Sequence, residues 1–156
     1  MSNYAIGLDY GTNSCRALIV DLSNGAELAS SVFNYPTGDA GVIVDTADPN
    51  LARQNPADYV KGTETTIVET IKKAKAEFPE FSENNIIGIG VDTTGSSPLP
   101  VDKEGTPLSY QDIFKNNPAA YVWLWKDHTS YQEALEITEK AAEMRPEYLD
   151  KIGGTY

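Results

Sequence analysis

The chain has 156 residues, of which 40% are hydrophobic and 22% are charged. This composition predicts one globular domain and excludes a disordered tail. The formal net charge of −11 argues against a nucleic-acid partner and against an anionic membrane surface, since both bind through clustered Lys and Arg. A single cysteine and a single histidine exclude an internal disulfide and a Cys- or His-rich metal centre. Neither a signal peptide nor a long apolar run is evident, which predicts a cytoplasmic protein.

The first 35 residues are predicted to form an antiparallel three-stranded meander. Apolar segments with little helical period occupy residues 4–9, 16–22 and 27–35. Asn24 and Gly25 lie between the second and third segments and suit a hairpin turn. Residues 37–53 contain Gly, Pro and Asp without a sustained period, so we expect a long loop there.

A helix is predicted over residues 56–78, followed by a fourth strand over residues 85–92. Asn55 suits the N-cap position, Pro56 suits the first helical turn, and Pro79 ends the pattern. Apolar residues recur at helical spacing and predict one buried stripe, formed by Val60, Ile67, Ile71, Ala74 and Phe78. A strand, helix and strand in this order favour a right-handed crossover, with the fourth strand parallel to the first.

The last third of the chain has weaker signals. Residues 98–101 are predicted to form a short strand, with a turn over residues 102–105. Residues 111–121 are irregular. A second helix is expected over residues 129–144, with Thr129 or Ser130 as its cap.

The strongest functional motif covers residues 7–16. Asp9 ends the first strand, and the turn that follows consists of small and polar residues, namely Gly11, Thr12, Asn13 and Ser14. Such a turn can offer N–H groups and hydroxyls to phosphate oxygens, while Asp9 can hold Mg²⁺ directly or through water. Arg16 could add a fixed positive charge. The alternative is an ordinary hairpin turn with a surface Asp.

Two further segments contain candidate binding residues. In residues 91–98 an acid again ends an apolar strand, and small hydroxyl residues, including Ser96, follow it. Residues 121–129 hold both tryptophans, Lys126, Asp127 and the only histidine, and aromatic faces with polar neighbours suit a sugar. The alternatives are a polar loop for the first segment, and core tryptophans followed by a helix cap for the second.

These three motifs, in this order, resemble the FGGY carbohydrate kinases. Residues 7–16 are similar to the first phosphate motif of the actin, hexokinase and heat-shock-chaperone ATPase superfamily. Residues 52–56, 91–96 and 124–129 resemble the branch of the family that phosphorylates L-ribulose in bacterial arabinose use. The resemblance implies an α/β, ribonuclease-H-like fold, with this chain forming part of the first domain around a mixed sheet.

The resemblance also implies the roles of the candidate residues in the complete enzyme. It would use ATP and Mg²⁺ to phosphorylate a ketopentose at a terminal hydroxyl. Asp9 would hold Mg²⁺ through water, and the residues approaching the transferred phosphoryl group would be Gly11, Thr12, Asn13 and Ser14, with Arg16 supporting the turn. The residues contacting or framing the sugar would be Ser96, Trp125 and Asp127.

FGGY kinases are much longer than this chain, so the resemblance covers only the N-terminal part of their first domain, here residues 1–156. The general-base Asp of the family is expected beyond Tyr156, so no catalytic residue is assigned and the isolated chain is expected to be inactive. It is also expected to self-associate. The alternatives are another FGGY kinase such as a xylulokinase, a chaperone-type ATPase, and a non-catalytic sugar-binding module.

Overall fold

The computed structural model describes residues 2–155. Within them, the strands are β1 (Tyr4–Tyr10), β2 (Ser14–Asp21), β3 (Glu27–Asn34), β4 (Arg53–Gln54), β5 (Ile86–Thr93) and β6 (Val122–Trp123). The α-helices are α1 (Pro56–Glu77), α2 (Tyr131–Met144) and α3 (Pro146–Ile152). Among these helices, none is both long and apolar enough to span a membrane.

The main sheet has four strands in the order β3-β2-β1-β5. β1 pairs antiparallel with β2, β2 pairs antiparallel with β3, and β5 joins the other edge parallel to β1. The predicted meander and the predicted parallel crossover through α1 are therefore confirmed. The α/β class and the mixed sheet are also confirmed.

One face of this sheet is covered by α1, which packs over β2 and β3. The core between them consists of alternate residues of β1 and β2, of Ala74 in α1 and of Phe81, which follows the helix. The residues from the two strands are Tyr4, Ile6, Leu8, Ala17 and Ile19. Residues at the intervening positions, including Gly7, Asp9 and Arg16, point to the opposite face and are exposed. The period-2 alternation thus separates a buried face from a face that carries polar groups.

Helix α1 begins as predicted, and its predicted apolar stripe is confirmed in part, since Ala74 lies in the core and Ile67, Ile71 and Phe78 pack against it. Asn55 caps it by accepting a hydrogen bond from the Ala57 N–H at 3.1 Å. The predicted apolar stripe is wrong at Val60, which is 55% exposed. The residues of α1 that are fully buried are mostly small or hydroxyl-bearing, namely Pro56, Asp58, Gly62, Thr66, Thr70 and Ala74.

Close approach of α1 to the sheet explains this polar buried face. Ser31 Oγ in β3 donates to the Thr66 carbonyl and bonds the Thr70 hydroxyl, both at 2.7 Å. A Cβ atom at Gly62 would lie 2.9 Å from the Cys15 Cβ, which is closer than packed side chains come. Small residues and satisfied hydroxyls therefore replace large apolar side chains where the helix crosses β2 and β3.

Two predictions for the rest of the chain are wrong, and a third is confirmed with a shifted start. Residues 98–101 form no strand, and only an isolated bridge joins Val101 to Pro107. The predicted loop ends at the first residue of β4, whose partner β6 lies 68 residues later, just after the stretch predicted as irregular. The predicted second helix is confirmed as α2, with Ser130 at the N-cap position, although it begins at Tyr131 and the Ser130 side chain makes no capping hydrogen bond.

Candidate functional site

The turn between β1 and β2 is closed by its own backbone. The Gly11 N–H donates to the Ser14 carbonyl at 2.9 Å, and a Cβ on Gly11 would lie 3.4 Å from that oxygen. Asn13 connects the turn to the loop after β3 through two hydrogen bonds. Its side-chain Nδ2 donates to the Ala40 carbonyl at 2.6 Å, and its backbone carbonyl accepts from the Tyr35 N–H at 2.9 Å. We call residues 11–14 the phosphate turn, after the role that the sequence analysis predicts for them.

Thr12 connects the phosphate turn to two distant segments. Its carbonyl accepts a hydrogen bond from Gln54 Nε2 at 2.7 Å, and its hydroxyl accepts one from Trp125 Nε1 at 3.1 Å. Trp125 is otherwise 55% exposed, so a broad area of its indole ring remains accessible. The structure thus brings together two predicted motifs, the phosphate turn and the tryptophan segment.

Asp9 lies on the uncovered face of the sheet between two charged neighbours. It pairs in register with Arg16 on β2 and with Asp92 on β5. These residues line an open depression of about 480 Å³ together with Gly7 and Gly90, where an added Cβ would meet no atom within 4 Å. No group of three or more potential metal ligands occurs among residues 2–155.

Asp127 is buried and fully engaged by protein groups. It forms an ion pair with Arg53, and the two side chains are 4% and 3% exposed, respectively. Its Oδ2 accepts from the Ala52 N–H at 2.7 Å, and its Oδ1 accepts from the Thr129 N–H and hydroxyl at 3.1 and 2.6 Å. Asp127 is thus placed to frame the tryptophan segment, and direct contact with a ligand remains a prediction.

Arg53 links Asp127 to the short β4–β6 sheet. Its guanidinium lies 3.7 Å from the centre of the Trp123 ring, and Arg53 pairs in register with the same residue. Burial lowers the pKa of Arg53, and the charge of Asp48 opposes that shift. The buried guanidinium of Arg53 is thus in contact with one carboxylate and one aromatic face.

Ser96 lies in the loop after β5 and adopts a positive φ of 55°. The loop is tied to β1 because the Thr94 N–H donates to the Tyr10 carbonyl at 3.1 Å. Among residues 2–155, no hydrogen bond joins Ser96 to Trp125 or Asp127. The three residues that were predicted to contact the sugar therefore do not form one hydrogen-bonded cluster.

A second cavity, of about 320 Å³, was missed by the sequence analysis. It lies between the N-terminal turns of α1 and the loop after β5, and it is lined by Tyr10, Tyr59, Val60, Thr63, Thr93, Thr94 and Ser97. The Tyr10 and Thr63 hydroxyls bond each other at 2.5 Å. Tyr59 and Thr63 are four residues apart, a spacing that places both side chains on one face of a helix, and this was the signal in the sequence that could have indicated the cavity wall.

Comparison with known proteins identifies the family. The model of the FGGY family of carbohydrate kinases, N-terminal domain, matches residues 4–155. The chain belongs to this family. It is 40% identical over 154 residues to a ribulokinase of Vibrio parahaemolyticus, a match that covers 98% of the chain and 26% of the relative. A ribulokinase of Shouchella clausii is 37% identical over 164 residues, covering 100% of the chain and 28% of the relative.

Solved structures confirm the fold. The xyloylose kinase of Brucella ovis superimposes with a TM-score of 0.66 at 24% identity, covering 90% of the chain and 24% of that structure. A glycerol kinase of Plasmodium falciparum, solved with ADP, gives a TM-score of 0.64 at 15% identity, covering 96% of the chain and 25% of that structure. The chain spans about a quarter of the length of the curated relatives it matches.

Proposed function

We propose that this chain is the N-terminal part of the first domain of a cytoplasmic, ATP-dependent kinase that phosphorylates a ketopentose, L-ribulose. The similarity to ribulokinases over the whole chain supports the substrate class. The observation that carries the proposal is the hydrogen bond between Thr12 and Trp125, because it joins a phosphate-binding turn to an exposed aromatic face that suits a sugar. Phosphoryl donor and acceptor would then meet at this junction.

The candidate residues would act by positioning and by charge stabilisation. The phosphate turn would donate N–H and hydroxyl groups to the phosphoryl group as its charge develops. The exposed ring of Trp125 would pack on the sugar, and Ser96 would offer a hydroxyl from the neighbouring loop. Asp127 would hold the tryptophan segment through Arg53. We assign the general base to no residue of this chain.

The residues around Asp9 fit a Mg²⁺ ion that is bound mainly by substrate and water. Carboxylate oxygens are the ligands that Mg²⁺ prefers, and Asp9 is an exposed carboxylate beside the phosphate turn. With fewer than three clustered ligands among residues 2–155, the ion would keep several water ligands. When bound, Mg²⁺ would offset phosphate charge that a protein of net charge −11 repels.

Sugar-dependent release of ADP by the complete protein tests the proposal. We expect turnover with L-ribulose and Mg-ATP that exceeds turnover with xylulose, glycerol or gluconate, and no stimulation by unfolded peptides. A peptide-stimulated ATPase without sugar dependence would contradict the proposal in favour of a chaperone-type activity. Sugar binding without ATP turnover would favour a non-catalytic binding module.

A further inference from the structure

The orientation of one peptide group in the phosphate turn is set by Gln54. The Thr12 carbonyl accepts from Gln54 Nε2 at 2.7 Å, and the peptide bond that follows it is trans. In a planar trans peptide the C=O and N–H groups point in opposite directions. Fixing the Thr12 carbonyl toward Gln54 therefore directs the Asn13 N–H away from Gln54.

The amide of Gln54 can adopt only one orientation. Gln54 is 1% exposed, and its Oε1 accepts a hydrogen bond from the Tyr59 hydroxyl at 2.5 Å. The Thr12 carbonyl can only accept, so the amide nitrogen must face it. Burial raises the pKa of Tyr59 to about 12, so the phenol keeps the proton that it donates to Gln54. The direction of both hydrogen bonds is thus fixed at neutral pH.

Gln54 and Trp125 belong to segments that are joined by hydrogen bonds, and both residues bond Thr12, at its carbonyl and its hydroxyl respectively. β4 and β6 pair in register at Gln54 and Val122. The Leu124 N–H donates to the Ala52 carbonyl at 3.1 Å, and the Ala52 N–H donates to Asp127. The segments that carry the candidate sugar face therefore also bond the phosphate turn.

We propose that Gln54 is a positioning residue for phosphoryl transfer, acting through the Thr12 carbonyl on the orientation of the phosphate turn. This inference rests on the proposed kinase function. A misdirected peptide in the turn would weaken interactions made with the phosphoryl group in the transition state, more than those made with the sugar in the ground state. Loss of the Gln54 amide should therefore lower kcat more than it raises KM for the sugar.

The first test compares Gln54→Met with a control that disturbs the same region. Methionine keeps the length of the side chain but cannot donate to the Thr12 carbonyl. Val42→Ala is the matched control, because Val42 is buried in a cluster with Ala52 and Leu124, next to β4 and β6 in the chain, and its apolar side chain bonds neither Gln54 nor Thr12. In the complete protein we expect Gln54→Met to lower kcat about 10-fold to 100-fold, with KM for the sugar changed less than about 3-fold.

Val42→Ala should lower Tm at least as much as Gln54→Met, while kcat stays within about 2-fold of the unmodified protein. Loss of kcat in proportion to the loss of Tm in both variants would overturn the inference, because it would reduce Gln54 to a packing role. A kcat of Gln54→Met within about 3-fold of the unmodified protein would also overturn it.

The second test is the pH profile of Gln54→Glu. The introduced carboxyl can still accept from Tyr59, but it donates to the Thr12 carbonyl only when protonated and repels that carbonyl as a carboxylate. Tyr59 is the titratable group that faces this position, with the rings of Tyr10 and Tyr35 behind it. We expect the kcat ratio of variant to unmodified protein to rise as the pH falls from about 8 to about 6. A flat or falling ratio would contradict the inference.

These results distinguish the inference from the function on which it depends. An unmodified complete protein without sugar-dependent turnover overturns the proposed function, and the inference with it. An active unmodified protein combined with an active Gln54→Met variant overturns the inference alone.

Discussion

Asp9 and Asp92 are cross-strand partners at the carboxyl ends of the parallel strands β1 and β5. Arg16 flanks Asp9 on the other side, so the three charged residues form a row across the uncovered face of the sheet. Two neighbouring carboxylates repel each other, and a cation between the protein and a phosphate group would relieve that repulsion. A substitution that removes the charge of Asp9 therefore tests whether a cation binds at this row.

Asp9→Asn in the complete protein should lower kcat by orders of magnitude and change sugar affinity little. The substitution keeps the shape of the side chain and removes the charge proposed to organise Mg²⁺ beside the transferred group. Steady-state kinetics at saturating Mg-ATP measure the effect. Asp112→Asn is the control, since the Asp112 side chain is 98% exposed and pairs only with Lys115. Unchanged turnover in Asp9→Asn would rule out the metal role.

Asp127→Ala should lower the free energy of unfolding by about 3–5 kcal/mol, because it leaves the buried charge of Arg53 without a partner. The double variant Arg53→Met/Asp127→Leu should recover the part of that loss that comes from the unpaired Arg53 charge, whereas the hydrogen bonds that Asp127 accepts from Ala52 and Thr129 stay lost. Chemical denaturation of the three proteins measures these values. Lys72→Ala is the control, because its ion pair with Glu69 is exposed and contributes less than about 1 kcal/mol. Equal losses in the single and double variants would contradict the assigned role of the ion pair.

Gly62→Ala should destabilise the fold by about 1–3 kcal/mol, although alanine is the better helix former. The new Cβ would lie 2.9 Å from the Cys15 Cβ and 3.2 Å from a ring carbon of Phe33, so α1 would have to shift away from β2 and β3. Lys61→Ala, at the neighbouring exposed position, should change stability by less than about 0.5 kcal/mol. Thermal melts of both variants check the prediction, and a more stable Gly62→Ala variant would refute it.

Stability should fall in alkaline solution partly because of Tyr59. Burial raises the pKa of this phenol to about 12, with a smaller contribution from the charge of Asp58. The ordinary pKa of tyrosine is about 10, so the folded protein holds a proton that the unfolded chain releases between about pH 10 and pH 12. The free energy of unfolding is unaffected by this group below about pH 10 and decreases as the pH rises above it.

Urea denaturation at about pH 9, 10 and 11 tests this dependence. Tyr59→Phe keeps the ring packed against Tyr10 and Tyr35 but has no phenol to ionise. We therefore expect a shallower decrease in the variant than in the unmodified protein. The same slope in both proteins would show that other groups cause the alkaline loss.

The sequence was sufficient to predict those features whose signals lie within a short stretch of the chain. Alternation, capping and turn residues lie close together in the chain, and they predict the meander, the capping of α1 by Asn55 and the turn at residues 11–14. The β4–β6 sheet could not be predicted, because its two residues per strand carry no period and its pairing joins Arg53 to Trp123 across 70 positions. The proposed role of Gln54 depends on that pairing, so the sequence did not point to this residue.

The buried face of α1 was predicted only in part, for a related reason. Helical spacing identifies a stripe but does not report how closely the helix approaches the sheet. Here Gly62, Thr66 and Thr70 allow contact with β2 and β3, which leaves Val60 beside an open cavity. The apolar residues Ile67 and Ile71 pack at the edge of the core and are only partly buried.

The chain of residues 1–156 in isolation should self-associate through β5. This strand is an edge of the sheet, and Ile89 and Val91 pair in register with the core residues Ile6 and Leu8. They face the same side as the core but are 58% and 62% exposed, because α1 packs mainly over β2 and β3, at the other side of the sheet. An apolar strand with an unpaired edge is a template for pairing between chains.

Light scattering across a salt series measures the association. The net charge of −11 opposes it at low salt, so we expect dimers or small oligomers that tighten as salt screens the repulsion. Ile89→Lys places a charge on the exposed apolar strip and should shift the chain toward monomer, whereas Val68→Lys, at a half-exposed position on α1, should not. A chain that remains monomeric at high protein concentration and high salt would show that β5 does not act as a pairing edge.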